Sequence, residues 1–220
     1  MELREAVLGR RSIRLFLPDP IPREAITRIV ELARWAPSWG NTQPWELVVA
    51  DGEKCKELAR RFEEESKKDA PSRPDVEMPT EFPESHKKRY TKLGKELLSY
   101  MGIEREDKAA RQQHWLNMYK FFGAPAVIYL VMDGGLSVPY ACLDIGSIGT
   151  TLCYAAMQEG LGTIYLASSA RFPDIVRQVL NISPDKKIVT SIAVGYPHPT
   201  DPASTFRSSR TPVDEILRFA

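Results

Sequence analysis

Apolar side chains along this chain recur at helical spacing in some stretches and cluster into short runs in others. After Pro22, residues Ala25, Ile26, Ile29, Val30, Leu32 and Ala33 share one helical face. Proline suits the first turn of that helix because its missing N–H has no intrahelical partner there. The spacing predicts an end near Ala36-Pro37. Trp45 to Ala50 is a short apolar run closed by Asp51-Gly52, which reads as a strand and turn, and Glu53 to Lys68 returns to helix formers. From Ala70 to Pro83, "APSRPDVEMPTEFP" holds four prolines and no periodicity, which predicts an irregular course over the surface. Two charged, amphipathic helical patterns follow, Glu84 to Met101 and Arg105 to Phe122, separated by Gly102. Their apolar positions are Leu93, Leu97 and Leu98, then Trp115, Met118 and Phe122.

Ala126 to Met132 is the next strand candidate, and a helix from Ser137 to Glu159 carries Pro139 in its opening turn and stops at Gly160. Gly146, Gly149, Thr150 and Cys153 place small residues on neighbouring turns of that helix, a surface for close packing either within one subunit or between two. Ile164 to Leu166 reads as a short strand, Phe172 to Leu180 as a short helix, and Lys187 to Val194 as a β-branched strand ending at Gly195-Tyr196-Pro197. Thr211-Pro212-Val213-Asp214 has the form of an N-cap, a proline and a first-turn acid, so a last helical turn begins after Arg210. Helices around about four strands without strict βαβ alternation make the class α+β. The expected organisation is a single domain over residues 1–220, with a lid insertion over residues 70–122.

Composition narrows the chemistry. The 220 residues are 43% hydrophobic and 27% charged with a formal net charge of +1, which supports a substantial core and argues against a general nucleic-acid-binding surface. No apolar run approaches the roughly 20 residues needed to span a bilayer, and Met1-Glu2-Leu3-Arg4-Glu5 lacks the plan of a signal peptide. A cytoplasmic protein without a membrane partner is expected. Cys55, Cys142 and Cys153 are odd in number, widely spaced and without a CxxC, and His86, His114 and His198 are isolated. Neither a disulfide framework nor a metal site is indicated. There is no GxGxxG after a strand, no GxxxxGK[ST] and no GxSxG.

Four clusters remain. "GRRSIRLF" (9–16) supplies three guanidinium forks and a hydroxyl, "APSWGNTQPW" (36–45) small polar groups and aromatics in a turn, "GLGTIYLASS" (160–169) a glycine-rich turn leading into a strand, and "FRSSR" (206–210) two more arginines. In this order, from Arg10 to Arg210, they resemble the nitroreductase family of FMN-dependent oxidoreductases. The resemblance implies a nitroreductase-like fold with a small mixed or antiparallel sheet, assembled as an intertwined homodimer with shared sites. It implies that Arg10, with Arg11 and Ser12, and Arg210, with Arg207 as a second, hold the FMN phosphate, a group that paired guanidinium forks can grip.

Arg14, two residues beyond Ser12, is then implied at the pyrimidine edge of the flavin, where a positive charge favours the reduced ring. Pro37, Ser38, Trp39 and Asn41 match the family turn that reaches the flavin bound mainly by the other subunit. Ala167 and Ser168 match the place that offers a backbone N–H to flavin N5. Pro83 to "NMYKFFGAP" resembles a subgroup with a helical lid, placing Trp115, Asn117 and Phe121, together with Trp39, near the substrate. The activity implied is ping-pong transfer of electrons from NADH or NADPH, a transient visitor, through FMN to a nitroaromatic, quinone or other flat acceptor. No catalytic side-chain nucleophile is implied. Two other readings stand beside it: a reductive dehalogenase resembling iodotyrosine deiodinase, whose lid trio would fall on Glu96, Tyr100 and Lys120, and a flavin-binding redox sensor without turnover.

Overall fold

The computed structural model describes residues 1–68 and 71–220; Ala70, the first residue of the proline-rich stretch, lies outside them. Four strands form one sheet in the order β1-β2-β4-β3: β1 (Trp45–Asp51), β2 (Ala126–Asp133), β3 (Gly162–Tyr165) and β4 (Lys186–Gly195). All three pairings are antiparallel, with Val48 opposite Tyr129, Ile128 opposite Ile192, and Ile164 opposite Ala193. β2 sits inside the sheet and is buried on both faces from Ala126 to Met132. That is why its sequence is a continuous apolar run rather than an alternation.

The pleat of β2 divides the core in two. Val127, Tyr129 and Val131 point into a cluster with Ile13, Phe16, Phe62 and Val176, while Ala126, Ile128, Leu130 and Met132 point into another with Ile26, Ile29, Ile145 and Ile148. On the first side lie α3 (Gly52–Lys67), α5 (Lys108–Tyr119) and α7 (Pro173–Leu180); on the second lie α2 (Arg23–Ala33) and α6 (Val138–Gln158). Among the described residues, no helix is long and apolar enough to cross a membrane, no group of side chains could hold a metal ion, and Cys55, Cys142 and Cys153 are free thiols.

The structure departs from the expectations at several points. A helix not expected from the sequence, α1 (Leu3–Gly9), opens the chain; a reciprocal pair of bonds between Glu2 and Glu5 closes its first turn and it packs on α6. The charged helix α4 (Glu84–Tyr100) and α5 flank Gly102 as expected, but α5 begins later, where the Asp107 carboxylate accepts a hydrogen bond from Ala110 N at 2.9 Å. It ends before Phe121 and Phe122, both in left-handed backbone at φ 55°. The last helix, α8 (Val213–Ile216), follows Pro212, and Thr211 does not cap it.

Residues 71–83 are irregular as expected, yet they are tied to the core rather than lying loose on the surface. Asp75 Oδ2 accepts from Arg177 at 2.6 Å and from the backbone of Ile188 at 2.8 Å, while Val76 and Met78 pack against the two cores. A carboxylate satisfied by a guanidinium and an amide at the same oxygen makes a specific tether.

Candidate active site

The segment 10–16 is extended and stitched to one edge of the sheet. Ser12 bridges Thr163 in parallel, Ile13 N donates to Thr163 O at 3.1 Å, Phe16 N donates to Phe122 O at 3.2 Å, and His198 N donates to Leu15 O at 3.1 Å. Ile13 and Phe16 are buried in the core and act as anchors. Gly162 makes the approach possible, because a Cβ there would stand 2.5 Å from Ile13 Cγ1 and 2.8 Å from Pro197 Cγ. Ser12 and Arg14, on either side of Ile13, are thereby turned away from the core.

Arg10 follows the last turn of α1, its amide donating to Ala6 O at 2.9 Å, and is half-buried with Arg11. Arg14 donates to Ser12 O at 3.2 Å. Burial lowers the Arg14 pKa, the Asp201 carboxylate opposes this, and Arg10 adds to the lowering; a guanidinium nevertheless stays protonated at physiological pH. Among the described residues no carboxylate forms a salt bridge with Arg10, Arg11 or Arg14, whereas Arg28, Arg60 and Arg177 all have one. Three guanidinium groups on one short segment without a salt-bridge partner among the described residues, with Asp201 the acid whose charge reaches Arg14, leave a place for an anion.

Beyond β3 the chain makes a single turn of 3-10 helix, Ala167–Ala170. Ser169 fixes it: its hydroxyl donates to Leu166 O at 2.8 Å and lies 2.6 Å from the Ser191 hydroxyl on β4, with both serines fully buried. The amides of Ala167 and Ser168 precede the first bond of the turn, so neither has a partner inside it. The Ser168 hydroxyl is buried and, among the described residues, has no hydrogen-bond partner. An orphaned hydroxyl beside two free amides fits a polar ring edge such as that of a flavin.

The turn at residues 37–43 is held by side chains that the motif alone does not reveal. Asp144, a buried acid on α6, accepts from Trp39 N through both oxygens at 3.1 and 3.2 Å. Ser38 Oγ accepts from Gln43 N at 3.0 Å, and Gly40, Asn41 and Gln43 all take positive φ. The turn is hydrogen-bonded at its base and outward-facing: Pro37 and Asn41 are exposed, and Trp39 is 67% exposed with its ring 6.3 Å from that of Tyr140. Sequence reasoning missed Asp144 because a lone acid in an apolar helix carries no motif.

Other expected positions fall less neatly. Trp115 is exposed, and Asn117, half-buried, accepts from Gln113 Nε2 at 2.9 Å through its amide oxygen. Phe121 is fully buried with its ring 5.9 Å from that of Phe62; it belongs to the core instead of lining an open pocket, because its left-handed backbone turns the side chain inward. Arg207 donates to Leu8 O, next to the end of α1 that carries Arg10. Arg210 instead donates to Ser208 O and Oγ and to Ser209 O, in a groove shared with Arg89 and Lys92 of α4. Glu96, Tyr100 and Lys120 each engage another group: Glu96 with Lys92, Tyr100 with the Thr205 hydroxyl, and Lys120 with Glu63 at 3.0 Å.

On α6, Gly149 is an intrasubunit contact, since a Cβ there would collide with the Tyr165 hydroxyl. Gly146 has open space around it and lies between exposed Tyr140, Leu143 and Thr150. The small residues of this helix thus lie on two faces, one packed within the chain at Gly149 and one open at Gly146.

Comparisons with known proteins agree with this fold. The family model for the nitroreductase family matches residues 7–196. The chain is 32% identical to the 4-nitrobenzoate reductase of Pseudomonas putida, covering 97% of this chain and 92% of that protein, and 30% identical to the nitroreductase NfnB of Mycolicibacterium smegmatis, covering 97% and 91%. Among solved structures, the FMN- and NADPH-dependent nitroreductase NfnB from a Sphigopyxis strain superposes with a TM-score of 0.93 at 26% identity, over 100% of this chain and 99% of the other. The FMN-dependent NfnB of Mycobacterium smegmatis in complex with NADPH gives 0.92 at 28% identity, over 99% and 97%. With the arginine strip, the β3 turn and the outward-facing 37–43 turn all within a fold shared from end to end, the chain belongs to the nitroreductase family.

Proposed function

We propose that this chain is an FMN-dependent oxidoreductase that takes electrons from NAD(P)H and passes them to a nitroaromatic, quinone or similar flat acceptor. The observation that carries this reading is the strip Arg10, Arg11, Arg14, which forms no salt bridge among the described residues, together with the orphaned Ser168 hydroxyl, in a chain whose full-length relatives are nitroreductases. Bound FMN supplies hydride acceptance from the nicotinamide and onward reduction of the acceptor. Arg10, Arg11 and Ser12, with Arg207 and Arg210 from the tail, hold the phosphate. Arg14 sets a positive charge against the ring. The amides of Ala167 and Ser168 orient the ring edge, and Trp39, Trp115 and Asn117 bound the space for the flat acceptor.

The purified protein is therefore expected to carry FMN. Anaerobic NADPH or NADH should bleach its visible absorbance, and a nitro compound should restore it. Bound flavin that neither donor bleaches would favour the redox-sensor reading. A failure of any flavin to bind would remove the proposal altogether. The dehalogenase reading draws no support from Glu96, Tyr100 and Lys120, whose partners lie elsewhere.

A homodimer with shared sites is part of the same proposal. Trp39, Tyr140 and Leu143 expose 67%, 57% and 69% of their surface on adjoining elements, next to the open Gly146. α4 buries only Leu97 in spite of its length. Such apolar surface and such a poorly covered helix favour a second copy as the cover. Light scattering should give about twice the chain mass, and a flavin-loaded, active monomer at micromolar concentration would refute it. A cytoplasmic setting belongs to the same proposal, and the free thiols Cys55, Cys142 and Cys153 support it.

A further inference from the structure

His114 stands apart from every motif in the chain, yet α5 carries it to the edge of the arginine strip. Its ring lies 5.9 Å from that of Phe122, whose carbonyl accepts the Phe16 amide at the end of the strip. The helix around it packs on the Ala167–Ala170 turn. Two polar side-chain atoms on these touching elements are buried and, among the described residues, unpartnered: His114 Nδ1 and Ser168 Oγ. A buried nitrogen without a partner is costly to keep unless something completes it.

The charge state of the ring is set by its surroundings. Burial lowers the His114 pKa and the nearby Arg14 guanidinium lowers it further, so the ring is neutral at neutral pH. A neutral imidazole has one donor and one acceptor nitrogen, which suits the alternating N–H and C=O groups of a flavin pyrimidine ring. A second cation beside Arg14 would be repelled, whereas a neutral ring adds a directed bond at no electrostatic cost.

We propose that His114 is a further flavin-binding residue, its unpartnered imidazole nitrogen completing with Ser168 the polar lining against the ring that Arg14 faces. The proposal rests on the FMN reading above. It assigns to α5 a contact with the cofactor in addition to its packing on α3.

The test is FMN titration of the full-length protein, stripped of cofactor, followed by flavin fluorescence and by the ring nitrogen resonances of 15N-histidine-labelled protein. FMN should shift the His114 nitrogens and leave those of the exposed His86 little changed. His114→Ala should weaken FMN binding about two- to tenfold, the range for one neutral hydrogen bond, and His114→Gln should recover most of the loss. FMN that binds the unaltered protein without moving the His114 resonances would overturn this assignment alone. The same holds if His114→Ala binds FMN as tightly as the unaltered protein does. An unaltered protein that does not bind FMN at all would overturn both this assignment and the reading beneath it.

Discussion

Arg10→Ala should lower the affinity for FMN by roughly tenfold to more than a hundredfold, because a charge-assisted bond to phosphate is worth about 1.5 to 3 kcal/mol. Arg10 is half-buried at the end of α1 and, among the described residues, forms no salt bridge, so its removal strips a charge from the anion without releasing a competing acid. Arg210→Ala is expected to act in the same direction, as the family pattern implies. The fold adds a discriminating control, since Arg207 reaches Leu8 O beside Arg10 while Arg210 lies against its own serines. Loss of affinity in Arg207→Ala with none in Arg210→Ala would make Arg207 the principal tail ligand. Arg60→Ala should change binding little, because that guanidinium is already paired with Glu57 and Glu64 on the exposed face of α3. Equal losses at Arg10 and Arg60, measured by fluorescence titration, would show that overall charge and not a site governs FMN affinity.

Much of this architecture was legible in the sequence because single elements declare themselves. The apolar run of β2, the prolines at the openings of α2 and α6, and the Gly160 stop are local signals, and each corresponds to an observed element or boundary. The departures have a common physical origin. The seven-residue α1 is too short to stand on propensity and depends on its Glu2–Glu5 box and on α6. Phe121 looked like a pocket aromatic until two left-handed residues in succession turned it toward Phe62. Asp144 and His114 were invisible as functional residues because their partners, Trp39 and Arg14, lie about a hundred positions away and meet them only through the packing of α6 and α5. The motif residues were findable because the family pattern concentrates them in short segments, while the residues that hold those segments in place are scattered.

The same division between motif and support governs what Arg14 should do. Its backbone is fixed by the Ser12 bridge on one side and the Phe16 bonds on the other, and its guanidinium also donates to Ser12 O, so the charge is aimed without help from the ligand. Partial burial and the neighbouring Arg10 both disfavour that charge, with only Asp201 in opposition. A site that holds a cation under those conditions is organised for a ligand that becomes more negative, which for a flavin is the reduced form. Arg14→Ala should therefore retain FMN better than Arg10→Ala does, yet shift the midpoint potential of the bound flavin downward, because the reduced ring loses more stabilisation than the oxidised ring. Hydride uptake from NAD(P)H should slow in stopped-flow measurements. Transfer to the acceptor need not slow, since a lower potential makes the reduced flavin the stronger donor, and the two half-reactions can be timed separately. If Arg14→Ala instead lost FMN as severely as Arg10→Ala and left the potential of the remaining flavin unchanged, Arg14 would be a phosphate ligand, and the positive charge at the ring would have to come from another residue of the strip.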